Sequence, residues 1–340
     1  MTVDLLYGVG MTMIAGLMSG NCMLPMKFTR TWKWENIWLV FSVVSLVILP
    51  WALAFALVDH LLEIYRVLGM GNLVLPMLLG AGWGIAQILF GISVNRLGLG
   101  VAYAIIVGLG AVLGTLVPLF VQQNAAMVGN PAYFIFSGVI IMVAGVFLTG
   151  WGGQIRERAA NAAAAITSVP SRQGYAAAVV LAVVCGIMAP MLNYSFAFGQ
   201  GIAREAVRLG VSPLHAGYAV WPIALAGGFV PNISYCIYLL SKNGTWQKFS
   251  SLGPDAMWSS LMAVLWMGAF ALYGMSAIYL GTFGTSVGWG LFQIFMIMTA
   301  TLSGVLTGEW RRAPRRATSL LGLGLICLTG ATVLLAIANR

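Results

Sequence analysis

Long apolar stretches alternate with short polar connections along almost the whole chain. Ten of these stretches are each about 20 residues long, which is the length an α-helix needs to cross about 30 Å of hydrocarbon. Their apolar positions do not alternate with polar ones, as they would in a membrane β-strand. The pattern therefore predicts an all-α polytopic membrane protein with ten transmembrane helices, at 5–25, 37–58, 74–95, 99–121, 132–151, 175–198, 214–240, 256–280, 285–307 and 318–338.

The composition excludes a soluble fold. Of the 340 residues, 60% are hydrophobic and 7% are charged, whereas a soluble domain is usually about 25% charged and 45–50% apolar. The first apolar stretch lacks a basic leading segment and a small-residue cleavage site, so we interpret it as a retained helix rather than a signal peptide. The longest polar connection, at about 152–174, is too short for a further domain. We therefore expect function inside the bundle or at its two mouths.

Two distant segments of the chain resemble each other. WGIAQILFGISVNRLG begins at Trp83, WMGAFALYGMSAIYLG begins at Trp266, and seven of their sixteen positions match. A shorter pair, GLMS at Gly16 and GIMA at Gly186, supports the same correspondence. Together the matches pair helix 1 with helix 6 and helix 3 with helix 8, which indicates a repeat of five helices. The alternative is that any two glycine-rich membrane helices look alike.

A repeat of five helices implies a particular topology. Because five is odd, the second copy enters the membrane from the opposite side, which is the inverted-topology repeat of secondary transporters. We predict a first five-helix repeat at 1–152, a cytoplasmic connection at 153–174 and a second five-helix repeat at 175–340. Two halves related in this way can exchange conformations, and so open the protein to each side of the membrane in turn.

The basic residues lie mainly on one side of the predicted bundle. The net charge is +9. With the N-terminus outside, 13 of the 17 Lys and Arg fall in cytoplasmic connections, so the positive-inside bias places both termini outside the cytoplasm. We interpret the basic excess as a topology signal and a contact for the lipid bilayer, and predict no nucleic-acid partner. The tryptophans that flank charged connections are predicted to be interfacial anchors: Trp32, Trp34, Trp38 and Trp310.

Uncharged polar and aromatic residues lie within the predicted spans, where polar groups usually face a cavity or a partner helix. Amides can both donate and accept hydrogen bonds with hydroxyl groups, and an aromatic ring can stack on the C–H face of a sugar. A charged ligand would favour a buried charge of opposite sign, which the middle of the spans does not contain. The pattern predicts a small neutral sugar as ligand, while a hydrogen bond between helices is the alternative for each amide. The predicted contacts are Asn21, Trp83, Gln87, Asn193, Trp289 and Gln293.

The acidic residues lie in connections or near helix ends, although proton symport commonly uses an acid within the membrane. Glu205 is the best candidate for proton coupling, because 199–209 is amphipathic and could fold into the mouth. The alternative is that Glu205 is only a charged residue at the membrane interface, beside Arg204 and Arg208. The sequence has no HExxH, GxSxG or carboxylate pair, so we do not expect an enzyme. We expect no metal and no cofactor, with a proton as the coupling ion.

Several motifs match one known family. They include Pro25-Met-Lys27, Trp32-Lys-Trp34-Glu35, Trp38, Ile48-Leu49-Pro50-Trp51 and Gly80-Ala-Gly-Trp83-Gly84-Ile. The match continues through Leu97-Gly98, Gly114-Thr-Leu, Cys185-Gly-Ile, Glu205-Ala, Leu209-Gly-Val-Ser-Pro213 and Glu309-Trp310. Over nearly its whole length, the chain resembles the bacterial L-rhamnose–proton symporter family of the drug/metabolite transporter superfamily.

The resemblance implies ten helices in two inverted repeats, and proton-coupled uptake of L-rhamnose or a related deoxy-sugar across the inner membrane. In this family the start of helix 9 carries a Tyr–Asp–Tyr element. Here the region reads Gly284-Thr-Ser-Val-Gly-Trp-Gly290, with no acid. We expect a secondary active sugar importer that works by alternating access with proton symport. A metabolite or drug exporter of the same superfamily is the alternative.

Overall fold

The computed structural model describes residues 3–122, 130–163, 172–250 and 253–338. Within these ranges the chain forms helices and no β-strand. Ten segments are long and apolar enough to cross a membrane, which confirms the predicted all-α polytopic class and the helix count. They are span 1 (Val3–Phe28), span 2 (Trp34–Leu57), span 3 (Leu61–Leu97), span 4 (Gly100–Gln122), span 5 (Pro131–Ala160), span 6 (Gly174–Arg208), span 7 (Pro213–Asn243), span 8 (Gly253–Tyr279), span 9 (Val287–Leu306) and span 10 (Arg315–Ala338).

The helices of the first five spans differ in regularity. Span 2 has one turn of π-helix between two α-helical parts, and the helix of span 5 runs on into the predicted connection at 153–174. The remainder of that connection, at 164–171, lies outside the described residues. The α-helices are Val3–Asn21, Trp34–Val43, Leu49–Leu57, Leu61–Leu97, Leu99–Gln122 and Asn130–Ala163, with a 3-10 helix at Leu24–Phe28 and the π-helix at Val44–Ile48.

The second five spans contain more short helices. The α-helices are Arg172–Met188, Met191–Phe198, Gln200–Arg208, Pro213–Ala216, Trp221–Asn243, Gly253–Tyr279, Val287–Leu306 and Arg315–Ala338. Short 3-10 helices lie at Gly217–Ala219, Thr245–Ser250 and Gly281–Phe283.

Span 6 is broken twice, and the first break lies at Pro190. Proline has no N–H to donate and its ring clashes with the preceding turn, so the helix stops at Met188 and resumes at Met191. The second break is at Gly199, after which the amphipathic helix Gln200–Arg208 begins. The first break places the buried Asn193 close to a helix start, and the second separates the amphipathic helix from the rest of the span.

Span 3 also contains a break that the apolar pattern did not predict. Gly69 has φ of +68° within Leu61–Leu97, a left-handed conformation that glycine adopts without a side-chain penalty. The residues before it, 61–68, therefore form a separate short helix ahead of the predicted span. Glu63 and Arg66 in this short helix kept it out of the predicted apolar stretch.

The packing of the spans repeats when each span is exchanged with the one five places later. Span 3 packs against spans 6 and 7, and span 8 packs against spans 1 and 2. Span 1 packs against span 9, as span 6 does against span 4, and the pair of spans 4 and 5 corresponds to spans 9 and 10. Spans 2 and 7, 4 and 9, and 5 and 10 also contact each other.

Glycine residues allow spans 3 and 7 to cross at close distance. A Cβ on Gly84 would lie 2.5 Å from the carbonyl oxygen of Gly228. A Cβ on Gly80 would collide with the carbonyl oxygen of Ala224, one turn earlier along span 7. Small residues spaced four apart allow such an approach. The crossing brings Trp83, between the two glycines of span 3, into the centre of the bundle.

Candidate functional site

Eight buried aromatic residues fill the centre of the bundle, and we call them the central aromatic cluster. They come from spans 3, 6, 7, 8 and 9, and are Trp83, Phe196, Trp221, Trp266, Phe270, Tyr273, Trp289 and Phe292. Stacked and edge-to-face ring pairs connect them, which is the usual geometry of buried aromatic residues. The closest ring pairs are Trp266 with Phe270, at 4.4 Å between centroids, and Phe196 with Trp221, at 4.6 Å.

The two tryptophans that begin the matching sequence segments meet in this cluster. The rings of Trp83 and Trp266 stack at 5.3 Å between centroids and 26° between planes. Residues at equivalent positions in two copies of a repeat can meet where the copies face each other, near a symmetry axis. Gln87, which stands opposite Phe270 in the same alignment, lies one turn from Trp83 on span 3.

A cavity of about 450 Å³ opens beside this cluster. It lies on the face of the bundle that both ends of the described chain reach, which we call the terminal face. The ends of spans 4, 6, 7 and 8 surround it, and Phe196 of the aromatic cluster forms part of its wall. Its polar lining consists of Gln122, Gln200, Arg204, Thr282 and Thr285. We call this space the terminal-face cavity.

Asn193 is fully buried and bonded within the protein. Its Nδ2 donates to the carbonyl oxygens of Gly114, at 2.9 Å, and Thr285, at 3.0 Å. Its Oδ1 accepts from the Tyr273 hydroxyl at 2.6 Å. Three segments, from span 4, span 8 and the connection before span 9, thus converge on this one amide. The side chain joins the cavity wall at Thr285 to the aromatic cluster at Tyr273.

Gln87 and Gln293 differ from Asn193, because neither side chain forms a hydrogen bond with any residue that the structure describes. Gln293 is 8% exposed and lies one turn from Trp289 on span 9. Gln87 is partly buried, and on its helix it lies on the opposite side from the exposed Ile85. Both amides therefore keep donors and acceptors available inside the bundle.

The other predicted contacts have different surroundings. The Trp289 indole N–H donates to the carbonyl oxygen of Gly110 at 3.1 Å, which fixes this ring against span 4. Asn21 lies at the far end of span 1, away from the terminal face. Its Oδ1 accepts from the Ser303 hydroxyl at 2.5 Å, and its Nδ2 donates to Leu17. The structure thus brings Trp83, Asn193 and Trp289 together around the aromatic cluster, while Asn21 lies apart from it.

Glu205 lies on the amphipathic helix that borders the terminal-face cavity. Its carboxylate accepts two hydrogen bonds from the Arg208 guanidinium, at 2.8 and 2.6 Å. Arg204, on the same helix, faces the cavity and is exposed. The predicted amphipathic segment therefore does fold against the mouth, with Glu205 held in an ion pair.

Comparison with known proteins gives a consistent result over the whole chain. The model of the L-rhamnose-proton symport protein family matches residues 1–339. The chain belongs to this family. L-rhamnose-proton symporters of Cronobacter sakazakii and Klebsiella pneumoniae are each 28% identical to it over 325 residues, and that of Escherichia coli is 27% identical. The matches cover 93% of this chain and 92 to 93% of each relative.

The family is a symport family, so this member is a transporter rather than an enzyme. On the face opposite the terminal face, which we call the opposite face, a carboxylate connects span 8 to the residues that follow span 1. Asp255 of span 8 accepts hydrogen bonds from the backbone N–H groups of Arg30, Thr31 and Trp32, at 3.0, 2.8 and 2.8 Å, and from the Thr31 hydroxyl. The Trp32 indole donates to the carbonyl oxygen of Lys248 at 3.0 Å. Trp32, predicted as an interfacial anchor, is instead buried, because this network draws it inward.

A second buried carboxylate of this symporter-family member joins spans 2 and 7 on the same face. Glu35 accepts from the Asn243 amide at 3.0 Å and from the Thr245 hydroxyl at 2.9 Å. The neighbouring Asn36 amide donates to the carbonyl oxygen of Thr245 at 3.0 Å. These bonds fix the start of span 2 against the end of span 7.

The third connection on the opposite face is an ion-pair network. Glu309 binds Lys27 at 2.7 Å and Arg156 at 2.9 Å, and so joins spans 1 and 5 to the residues after span 9. The Arg156 guanidinium also lies 4.9 Å from the centre of the Trp310 ring. The hydrogen bond from Lys27 is the main cause that lowers the pKa of Glu309, and Arg156 adds to it. The carboxylate therefore stays ionised and paired at neutral pH.

Sequence reasoning did not single out Tyr273, Thr285 or Asp255 for these roles. The backbone carbonyl of Thr285 carries no signal in a sequence, since every residue has one. Tyr273 was visible as a polar aromatic residue within a span. Asp255 follows Gly253 and Pro254 at a helix start, where an acid is common for local reasons alone. Its bonds to residues more than 200 positions away depend on the tertiary fold.

Proposed function

We propose that this chain imports L-rhamnose or a related deoxy-sugar together with a proton across the bacterial inner membrane. The observation that carries the proposal is the match to the symport family over residues 1–339. The relatives with matching lengths are named L-rhamnose-proton symporters. With the positive-inside bias, the terminal face is the external face and the opposite face is cytoplasmic.

The terminal-face cavity suits the entry of a neutral sugar. Its volume of about 450 Å³ lies in the range of about 300 to 1,000 Å³ that is usual for small-molecule sites. Gln122 and Gln200 in its lining each donate one hydrogen bond to a backbone carbonyl, and each amide keeps a second N–H and an oxygen that suit sugar hydroxyls. Phe196 offers an apolar face toward sugar C–H groups.

Beyond the cavity, we assign substrate contact chiefly to Gln87 and Gln293, with Trp83 as the stacking ring. The two amide side chains have hydrogen-bonding capacity that the described protein does not use, whereas Asn193 uses both of its N–H groups and accepts one bond within the protein. Trp289 and Asn193 then serve the site by holding spans 4, 6 and 8 around it. Asn21 contributes through the Ser303 contact at the cytoplasmic end, which must change when that end opens.

Alternating access between two inverted halves is the proposed mechanism. The packing of spans that repeats at an interval of five and the Trp83–Trp266 stack both support an inverted repeat. The repeat also fits the drug/metabolite transporter superfamily. The Asp255, Glu35 and Glu309 connections join spans across the opposite face, whereas the cavity on the terminal face borders the central aromatic cluster, and this arrangement supports entry of the sugar from the terminal face. Sugar binding would be followed by rupture of these connections and opening to the cytoplasm.

Glu205 is the proposed coupling residue. It lies on the helix whose other residues line the cavity, and a proton from outside reaches this helix first. Protonation would remove its negative charge and release Arg208. The released helix Gln200–Arg208 could then move over the cavity, and this would join proton binding to closure of the external mouth.

Uptake of labelled L-rhamnose by proteoliposomes under an imposed inward proton gradient tests the proposal. We expect uptake above that of protein-free liposomes, and its loss when a protonophore collapses the gradient. Glu205→Gln should transport without dependence on the gradient. The matched control Glu63→Gln, an exposed acid of the terminal face paired with His60, should behave as the wild type. Gradient-independent uptake by the wild type would remove the symport claim, and efflux without sugar uptake would favour the exporter.

A further inference from the structure

A second cavity, of about 530 Å³, lies on the opposite face between the end of span 1 and the start of span 8. Its lining combines two basic side chains, Lys27 and Arg30, with a pair of aromatic rings, Phe28 and Trp258. The two rings lie 5.0 Å apart between centroids. This cavity contains none of the residues assigned above to sugar contact. Its basic and aromatic lining suggests a ligand with an anionic head and an apolar body.

The two basic side chains of the cavity keep hydrogen-bond donors that could bind an anion. The Arg30 side chain is exposed and forms no ion pair with any part of the chain that the structure describes. Lys27 donates one hydrogen bond to Glu309, and an ammonium group has three to donate. Asp255 also borders the cavity, but it is 4% exposed and its oxygens are covered by N–H and hydroxyl donors. The buried carboxylate therefore does not block an anion from reaching Arg30.

The surface below the cavity is apolar and faces outward. Met257, Leu261 and Val264 of span 8 are exposed large hydrophobic residues; Met257 adjoins Trp258, and Leu261 and Val264 follow it further along the span. Met23 of span 1 is also an exposed large hydrophobic residue. Aromatic residues are typical of the depth at which headgroups meet acyl chains. A free anion would use only the basic part of this surface, whereas a lipid would use both parts.

We propose that this cavity binds the phosphate of an anionic phospholipid. Arg30 and Lys27 would hold the phosphate, Phe28 and Trp258 would lie at the glycerol level, and the acyl chains would follow the exposed face of span 8. The positive-inside bias puts this face in the leaflet whose anionic lipids attract basic residues. The proposal is independent of the sugar and of proton coupling.

Native mass spectrometry of the full-length protein, released from mixed micelles of phosphatidylglycerol and phosphatidylcholine, tests the proposal. We expect the wild type to retain phosphatidylglycerol in preference to phosphatidylcholine. Arg30→Gln should weaken this preference about fivefold, which corresponds to about 1 kcal/mol for one basic residue near an anionic surface. Arg312→Gln, which removes the same charge from an exposed position on the same face, is the matched control and should retain the preference.

A second variant and a second anion complete the test. Trp258→Leu should also reduce phosphatidylglycerol retention, and it reports on the site if Arg30→Gln does not fold. Inorganic phosphate, added to micelles that contain only phosphatidylcholine, should bind weakly. An equal loss in Arg30→Gln and Arg312→Gln would mean that attraction is only general, and would overturn the proposal. Binding of inorganic phosphate without a preference for phosphatidylglycerol would overturn the assignment to a lipid.

Discussion

Replacing Gln293 or Asn193 by leucine separates a ligand-binding amide from a structural one, because the two changes should affect stability in different ways. Both residues are buried amides of the bundle centre. Asn193 forms three hydrogen bonds with other segments, whereas Gln293 forms none with the described residues. A leucine at either position fills the space with an apolar side chain of comparable size.

The expected magnitudes follow from these bonds. Asn193→Leu leaves the Tyr273 hydroxyl and the carbonyls of Gly114 and Thr285 without this partner, so we expect a loss of about 3 kcal/mol, at about 1 kcal/mol for each bond. Gln293→Leu breaks no bond within the described protein, so the free energy of unfolding should stay the same or rise by up to about 1 kcal/mol. Its effect should fall on transport instead. Two bonds lost to a sugar amount to about 2 kcal/mol, or about a 30-fold loss in kcat/KM.

Two measurements on the same preparations distinguish a structural amide from a ligand-binding one. Reversible unfolding by dodecyl sulfate in mixed micelles, followed by circular dichroism, gives the change in the free energy of unfolding. Initial rates of L-rhamnose uptake in proteoliposomes give kcat/KM. The reasoning fails if Gln293→Leu is as destabilised as Asn193→Leu, since the amide would then have a structural partner. It also fails if Gln293→Leu transports as well as the wild type.

Two further predictions concern helix packing and the cytoplasmic closure. Gly84→Ala should destabilise the protein by about 1 to 3 kcal/mol, because its Cβ would meet backbone atoms of span 7, whereas Gly91→Ala in open space on the same helix should be neutral or stabilising. Equal unfolding midpoints for the two variants would contradict the close crossing. The lowered pKa of Glu309 means that its pairing with Lys27 and Arg156 stabilises the fold above the ordinary carboxyl pKa and is lost as pH falls through the lowered value. Thermal midpoints measured from pH 7 downward should fall more steeply for the wild type than for Glu309→Gln, and parallel curves would refute this.

The number and positions of the spans could be predicted from the sequence because the membrane imposes a simple rule. A helix that crosses hydrocarbon must be apolar over a fixed length, and it must satisfy its backbone hydrogen bonds internally. Composition alone therefore separated spans from connections, to within a few residues at most boundaries. The break at Pro190 has a local cause, since proline cannot donate the backbone hydrogen bond of a continuing helix. Pro118 and Pro231 nevertheless lie inside continuous helices, so proline alone does not decide where a helix stops. The helix before Gly69 was missed because its charged residues hide it from an apolar count.

The residues of the candidate site were recognisable as a class, but their individual roles were not. The sequence identified Asn193, Gln87 and Gln293 as polar groups within apolar spans. For each of them it left two interpretations, a contact with the sugar or a hydrogen bond between helices. The fold separates them, since segments from three other parts of the chain reach Asn193 and none of the described residues bonds to the other two. Asp255 shows the same limit, because its donors lie more than 200 positions away along the chain. Local composition determines where the helices run, whereas the partners of a buried polar group depend on which distant segments the packing brings within 3 Å.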